Sequence, residues 1–179
     1  AEPQLPASAK LTAAVVKAAD DGDALLRMQV AYSAGFLKPA DSAVVLARIM
    51  ARDGSNAHLR SAVESSLTPV NVVQVLNELR AQPESDDAAE RLLVSAAAAL
   101  ADSEALRAIL QELSNRVSES DAAEHFARLA QFIDAWSRRS PQDVSPGDND
   151  LYVAWKPAIN AALRVAEHDE SVSYTHLRA

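Results

Sequence analysis

Asp121 and His125 stand four residues apart, so on a helix a carboxylate and an imidazole would lie one turn from each other and could begin a metal site. Two ligands do not complete one. His58 and His168 are distant in sequence and bring no companion ligands, so helix capping and solvated surface are the expected roles for all three histidines. Asp148, Asn149 and Asp150 offer oxygen donors of the kind calcium takes, without the remainder of a calcium loop around them. Asp20 with Arg27, and Asp53 with Arg60, could hold a ligand in series. Residues of these types at helix entrances cap helices and pair between layers, and that structural role predicts that Arg60→Ala lowers stability.

Nucleophilic catalysis finds no support. Ser65, Ser66 and Ser95 stand in no Gly-x-Ser-x-Gly turn and have no histidine and carboxylate at a recognisable spacing. Phosphate-cradling loops are missing as well, because Gly22, Gly35, Gly54 and Gly147 are scattered along the chain. Trp136 and Trp155 could stack on a sugar or a partner protein, but both fall on apolar helix faces, where core packing is the expected role. The sequence therefore nominates no catalytic, cofactor-binding or metal-binding residue.

The elements that carry these residues are helical. Hydrophobic residues make up 49% of the chain while aromatics make up 4%, and Ala, Leu and Val supply the apolar content, a mix suited to close-packed helices rather than a β-sandwich. A formal charge of −8 with scattered basic residues argues against nucleic acid as a partner. The absence of cysteine removes disulfides, thiolate metal sites, a thiol nucleophile and covalent haem attachment. No apolar run reaches the length of a membrane span, and the Pro-broken start shows no basic-then-apolar leader.

The strongest pattern is a repeat. Asp20 to Ser33 recurs 33 positions later as Asp53 to Ser66, with Asp20/Asp53, Ala24/Ala57, Leu26/Leu59, Arg27/Arg60, Val30/Val63 and Ser33/Ser66 identical. A period of this size marks stacked helical units that bury their apolar faces against one another. A further step of 33 lands on Asp86 and Leu92, but the arginine after the leucine is gone. The fold class predicted is all-α, an α-solenoid of stacked antiparallel helix pairs.

Apolar spacing and stop signals place the helices. The first runs over 8–19 with Leu11, Val15, Ala18 and Ala19 on one side, and ends at Asp20-Asp21-Gly22. A pair follows, over 24–37 with Leu26, Val30, Ala34 and Leu37 and over 41–52 with Val45, Leu46 and Ile49, turning at Lys38-Pro39 with Asp41 as N-cap. The second pair carries Leu59, Ala62, Val63, Ser66 and Leu67, then Thr68-Pro69 as cap and first-turn proline, then Val72, Val75, Leu76 and Leu79. A third pair carries Leu92, Leu93, Ala96, Ala97 and Leu100, then Leu106, Ile109, Leu110 and Leu113. Asp121 and Glu124 resemble a capping box for a helix to Arg139 bearing Phe126, Leu129, Ile133 and Trp136. A loop over 140–150 and a last helix over 151–168 complete the reading, with Pro157 tolerated early in that helix. Residues 1–170 are expected to form one helical repeat domain, a fragment of a longer protein. Residues 171–179 lack acidic residues, resemble translated sequencing-adapter read-through at the end of a metagenomic fragment, and are expected to be a non-native tail.

The run from Leu26 to Leu67 resembles HEAT-type repeats, specifically those of the large haem-containing, membrane-bound dehydrogenase-like proteins of planctomycetes and their relatives. The resemblance is carried by the Asp-led turn, Leu26-Arg27 entering a helix, the small-residue stripe after it, and then Leu59-Arg60 followed by Ala62-Val63 and Ser65-Ser66-Leu67. The period is shorter than the usual HEAT unit and nearer to ankyrin or tetratricopeptide lengths, although neither of those consensus patterns is present. The resemblance implies an extracytoplasmic position between a sugar-dehydrogenase-like β-propeller and a c-type cytochrome domain. It places the redox chemistry in those neighbours, because this chain has no Cys-x-x-Cys-His.

Three functions follow as expectations. The first is a non-catalytic helical-repeat scaffold or spacer that positions adjacent redox domains or a protein partner, without cofactor, nucleic acid or direct membrane insertion. The second is an independent protein-binding adaptor whose acidic surface docks a basic partner. The third is a segment of a repeat-type lyase, for which no residues are visible.

Overall fold

The computed structural model describes residues 7–83, 86–115 and 122–139, and these are all-helical. Eight helices follow in order: α1 (Ala9–Ala18), α2 (Ala24–Ala34), α3 (Pro39–Asp53), α4 (Ala57–Ser65), α5 (Val72–Arg80), α6 (Asp87–Leu100), α7 (Ser103–Asn115) and α8 (Ala122–Ser137). The loop expected over 140–150, the helix over 151–168 and the tail over 171–179 lie outside the described residues. Asp121, Asp148, Asn149, Asp150, Trp155 and His168 lie there too.

Helix starts are set by short polar side chains that accept the unpaired amides of a first turn. Ser8 accepts from Leu11 N–H, Asp23 from Leu25 N–H, Asn56 from His58 and Leu59 N–H, and Asp86 from Ala89 N–H. Asp23 and Asn56 are 33 positions apart, whereas Asp86 follows Asn56 by 30. The second unit, from Asn56 to Asp86, is thus shorter than the first. Asp86 is the counterpart of the two caps, not of Asp20 and Asp53.

Two expected caps differ. Asp41 does not open α3. Pro39 takes the first helical position, where its fixed φ suits the helix and its missing N–H costs nothing, and Lys38 becomes the N-cap without a side-chain bond. Thr68 and Pro69 likewise lie in the turn ahead of α5, whose N-cap is Asn71.

The chain divides into two compact units, Ala1–Asp102 and Ser103–Ala179. The division falls between α6 and α7, the helices expected to form the third pair. In the first unit α2 packs on α4 and α3 on α5, α2 lies beside α3 and α3 beside α4, and α1 rests on α2 and α3. The core of this unit is made by Val45, Leu46 and Ile49 of α3, Leu59, Ala62 and Val63 of α4, and Val72, Val75, Leu76 and Leu79 of α5, all fully or almost fully buried. These are the stripes that the helical period picks out.

The ends of the unit depart from the expected pattern. No residue of α1 is buried and Leu11 is exposed, while Ala19 just beyond the helix is buried. On α6 the buried face is Ala89, Leu93, Val94, Ala97 and Ala98, a rotation from the predicted stripe that leaves Leu92, Ala96 and Leu100 half-buried. α6 packs on α5. A Cβ built on Gly54 would also stand 3.5 Å from that of Ala89, which places the start of α6 against the end of α3.

In the second unit α7 packs on α8. Leu106, Ile109, Leu110 and Leu113 are buried as predicted. Leu129, Ile133 and Trp136 are half-buried and Phe132 is fully buried.

Truncation in the core leaves a cavity, whereas truncation at the surface does not. Leu76→Ala is expected to lower the unfolding free energy by about 2–5 kcal/mol, while Leu25→Ala, at a site 71% exposed, should change it by no more than about 0.5 kcal/mol. Urea unfolding of the two variants checks this, and equal losses would contradict the packing described.

Candidate functional site

The most specific polar arrangement in the first unit surrounds Arg27. Asp23 starts α2, so Arg27 falls one turn into the helix and points its guanidinium at the end of α3. Nε donates to Asp53 Oδ2 at 2.8 Å and Nη2 to Oδ1 at 2.7 Å, a two-point contact with the carboxylate. Nη1 donates to the backbone carbonyls of Asp21 at 2.6 Å and Gly22 at 3.1 Å. The side chains are only 5% and 12% exposed.

The hydrogen bonds that Arg27 donates to Asp53 raise its pKa above the ordinary value. Burial pulls it down, and the charges of Asp53, Asp21 and Asp23 add to the rise. Stability gained from a raised basic group is complete below its unfolded pKa and fades only as pH climbs past the folded value, so it is fully present at neutral pH. Planar guanidinium geometry matters here, because a lysine could not meet both carboxylate oxygens and two carbonyls at once.

Around this node runs a more open rim. Arg48 of α3 donates to Asp20 at 3.1 Å, with both side chains well exposed, and Arg52 donates to the carbonyls of Asp20 and Asp21. A shallow cleft lined by Asp20, Arg48, Arg52, Gln82 and Pro83 lies alongside. Asp20 and Arg48 pair with each other and Arg52 bonds to carbonyls, which suits a structural role.

A buried polar thread holds α4 and α5 to α2 and α3. Ser66 Oγ donates to the Ala31 carbonyl at 2.8 Å. Asn71 accepts from Thr68 N–H through its amide oxygen and donates through its amide nitrogen to Ser42 Oγ and the Ser66 carbonyl, both at 3.0 Å. The end of α2 lies close to this point, since a Cβ on Gly35 would stand 3.4 Å from Ser66 Oγ.

The residues singled out in the sequence divide clearly. Asp20 and Asp53 make ion pairs but cap no helix, the capping being done by Asp23 and Asn56. Asp53 pairs with Arg27 of the preceding repeat, not with Arg60. Arg60 is half-buried, and no described residue accepts from its guanidinium. The reason is the shortened second unit. Three residues before the cap stand Asp20, Asp53 and then Pro83, so the position that would offer Arg60 a carboxylate holds a proline. The two arginines of the repeat therefore occupy different surroundings. His58 is exposed, Ser65 donates to the Ala62 carbonyl and Ser66 to that of Ala31. Among the described residues no group of three or more His, Asp and Glu could hold a metal ion.

Sequence reasoning missed Ser42 and Asn71, and also the ion pair in which Arg80 donates to Glu90 at 2.8 Å. The shared spacing of Asp23 and Asn56 would have identified both caps. Leu25, Leu26 and Tyr32 of α2 and Phe36 just after it are exposed, although Leu26 was expected on the buried stripe.

Among the described residues no helix is long and apolar enough to cross a membrane. Compared with protein-family models, with curated proteins and with solved structures, the chain gives no match.

Removing one partner of a buried ion pair strands the other charge. Arg27→Ala should therefore cost about 3–5 kcal/mol of stability, whereas Arg60→Ala should cost no more than about 0.5 kcal/mol. Chemical denaturation of both variants checks the asymmetry, and equal losses would contradict it.

Proposed function

We propose that this chain is a non-catalytic helical-repeat scaffold, a HEAT-like stack of antiparallel helix pairs whose task is to position neighbouring domains or a protein partner. The observation that carries this reading is the contact of α2 and of α3 with the helix two places on. α2 lies on α4 and α3 on α5, with Arg27 bonded to Asp53 across the repeat. Units that bond to their successors in this way draw stability from stacking and leave their outer faces for recognition.

Polar chemistry in the first unit is spent on holding helices together. Asp20, Asp53, Arg27, Arg48 and Arg52 pair with each other or with backbone carbonyls, and the buried serines and asparagine bridge adjacent helices. On this reading the HEAT-type resemblance supplies the neighbours, with a propeller and a c-type cytochrome domain carrying the redox chemistry. An independent adaptor is the second reading. It is favoured by the exposed apolar residues of α2 together with the net charge of −8.

Sequencing the reading frame beyond both ends of this chain tests the proposal. A Cys-x-x-Cys-His motif in the same frame is expected if the chain is a spacer between redox domains, and a frame that closes soon after Glu170 would favour the adaptor. Turnover of a cofactor or sugar by the isolated chain would refute both.

A further inference from the structure

The chain contains two Asp-Gly steps, Asp21-Gly22 and Asp53-Gly54. At such a step an aspartate rearranges most readily, because glycine has no Cβ to shield its amide nitrogen from the preceding carboxyl. The two steps have opposite surroundings.

Asp21 and Gly22 lie exposed in the turn between α1 and α2. Asp21 Oδ1 accepts from Asp23 N–H at 2.8 Å, and the ring closed by that bond runs through both the Asp21 carboxyl carbon and the Gly22 nitrogen. The two atoms that must join are thus held within one small ring. Among the described residues nothing accepts from Gly22 N–H, so water reaches the proton that this nitrogen must lose. Asp53, in contrast, is the last residue of α3, and both its oxygens accept from Arg27 in a pair whose side chains are 5% and 12% exposed. Its carboxyl carbon is fixed toward α2 and must leave that ion pair before it can reach the Gly54 nitrogen.

We infer that Asp21 is a site of spontaneous isomerisation to isoaspartate, and that the Arg27 contact spares Asp53. In the protonated fraction of Asp21, the Gly22 nitrogen gives up its proton and bonds to the carboxyl carbon, the carboxyl hydroxyl leaves as water, and a succinimide ring results. Water then adds to one of the two ring carbonyls. Opening at the side-chain carbonyl restores aspartate. Opening at the main-chain carbonyl routes the chain through the side-chain carbon and frees the main-chain carboxylate. Nothing is oxidised or reduced, and the charge of the residue is unchanged.

The rearrangement alters the join between α1 and the rest of the first unit. The Asp21 carbonyl oxygen accepts from Arg27 Nη1 and Arg52 Nη1, and afterwards it belongs to a free carboxylate on a turn one backbone carbon longer. Gly22, whose carbonyl is the other acceptor of Arg27 Nη1, is displaced with it. No residue of α1 is buried, so the helix depends on this turn for its place. The fold itself does not require glycine here, because a Cβ on Gly22 meets no atom within 4 Å and its φ is not positive.

Warm incubation of the full chain at neutral pH tests the inference, with peptide mapping in which electron-transfer fragments distinguish isoaspartate from aspartate. In the folded chain Asp21 should gain isoaspartate about tenfold faster than Asp53 or more, because Asp53 reacts only when the end of α3 opens. In concentrated urea, where neither setting survives, the two rates should converge. Gly22→Ala should slow the reaction at Asp21 several-fold while the melting temperature holds or rises. The aged parent chain should exchange the amides of α1 faster than the fresh one. Equal rates at Asp21 and Asp53 in the folded chain, or an unreacted Asp21 when the urea-treated chain has isomerised, would overturn the site. Undiminished reaction in Gly22→Ala would overturn the succinimide route, and α1 amides unchanged by isomerisation would overturn its effect on the turn.

Discussion

A guanidinium taken out of water must find a partner for nearly every N–H it carries, and the first unit is organised around meeting that demand for Arg27. Two bonds go to Asp53 at the end of α3 and two to the turn that precedes α2. These contacts fix the start of α2, the end of α3 and the approach between them. Replacing such a pair with well-packed apolar residues would cost little or even stabilise, so its contribution lies in register. An α2 that slipped by one turn would leave a buried charge without its carboxylate.

The remaining polar contacts extend the same constraint along the layers. Ser66 and Asn71 reach back to Ala31 and Ser42, so the turn between α4 and α5 is tied to both helices of the preceding pair. Around these bonds the apolar stripes of α3, α4 and α5 close completely, because each packs on at least two other helices. The arrangement ends where the repeat shortens. With Pro83 where an aspartate would be needed, Arg60 meets no carboxylate among the described residues, and α6 packs on α5 and beside the end of α3.

The sequence made the helices and their buried faces legible because the 3.6-residue period reports burial directly. Val45, Leu46, Ile49, Val72, Val75, Leu76 and Leu79 are found where it puts them. It was less informative about polar roles. Identity between Arg27 and Arg60 suggested equal surroundings, but an arginine's environment depends on what lies three residues before the next cap, and that position changes from Asp53 to Pro83. Asp41 looked like a cap because its side chain is suited to one, yet Pro39 starts the helix earlier through its fixed backbone. The exposure of Leu26 was invisible to pattern reading, since Leu26 and Leu59 are the same letter in the same phase and differ only in whether a helix lies over them.

Native-state hydrogen exchange of the chain with Asp53→Ala tests most directly whether neighbouring repeats are held as one stack. If the Arg27–Asp53 contact joins the layers, the opening free energies of α2 and α4 should fall together with that of α3. A loss of protection confined to α3, the helix that carries Asp53, would contradict the account.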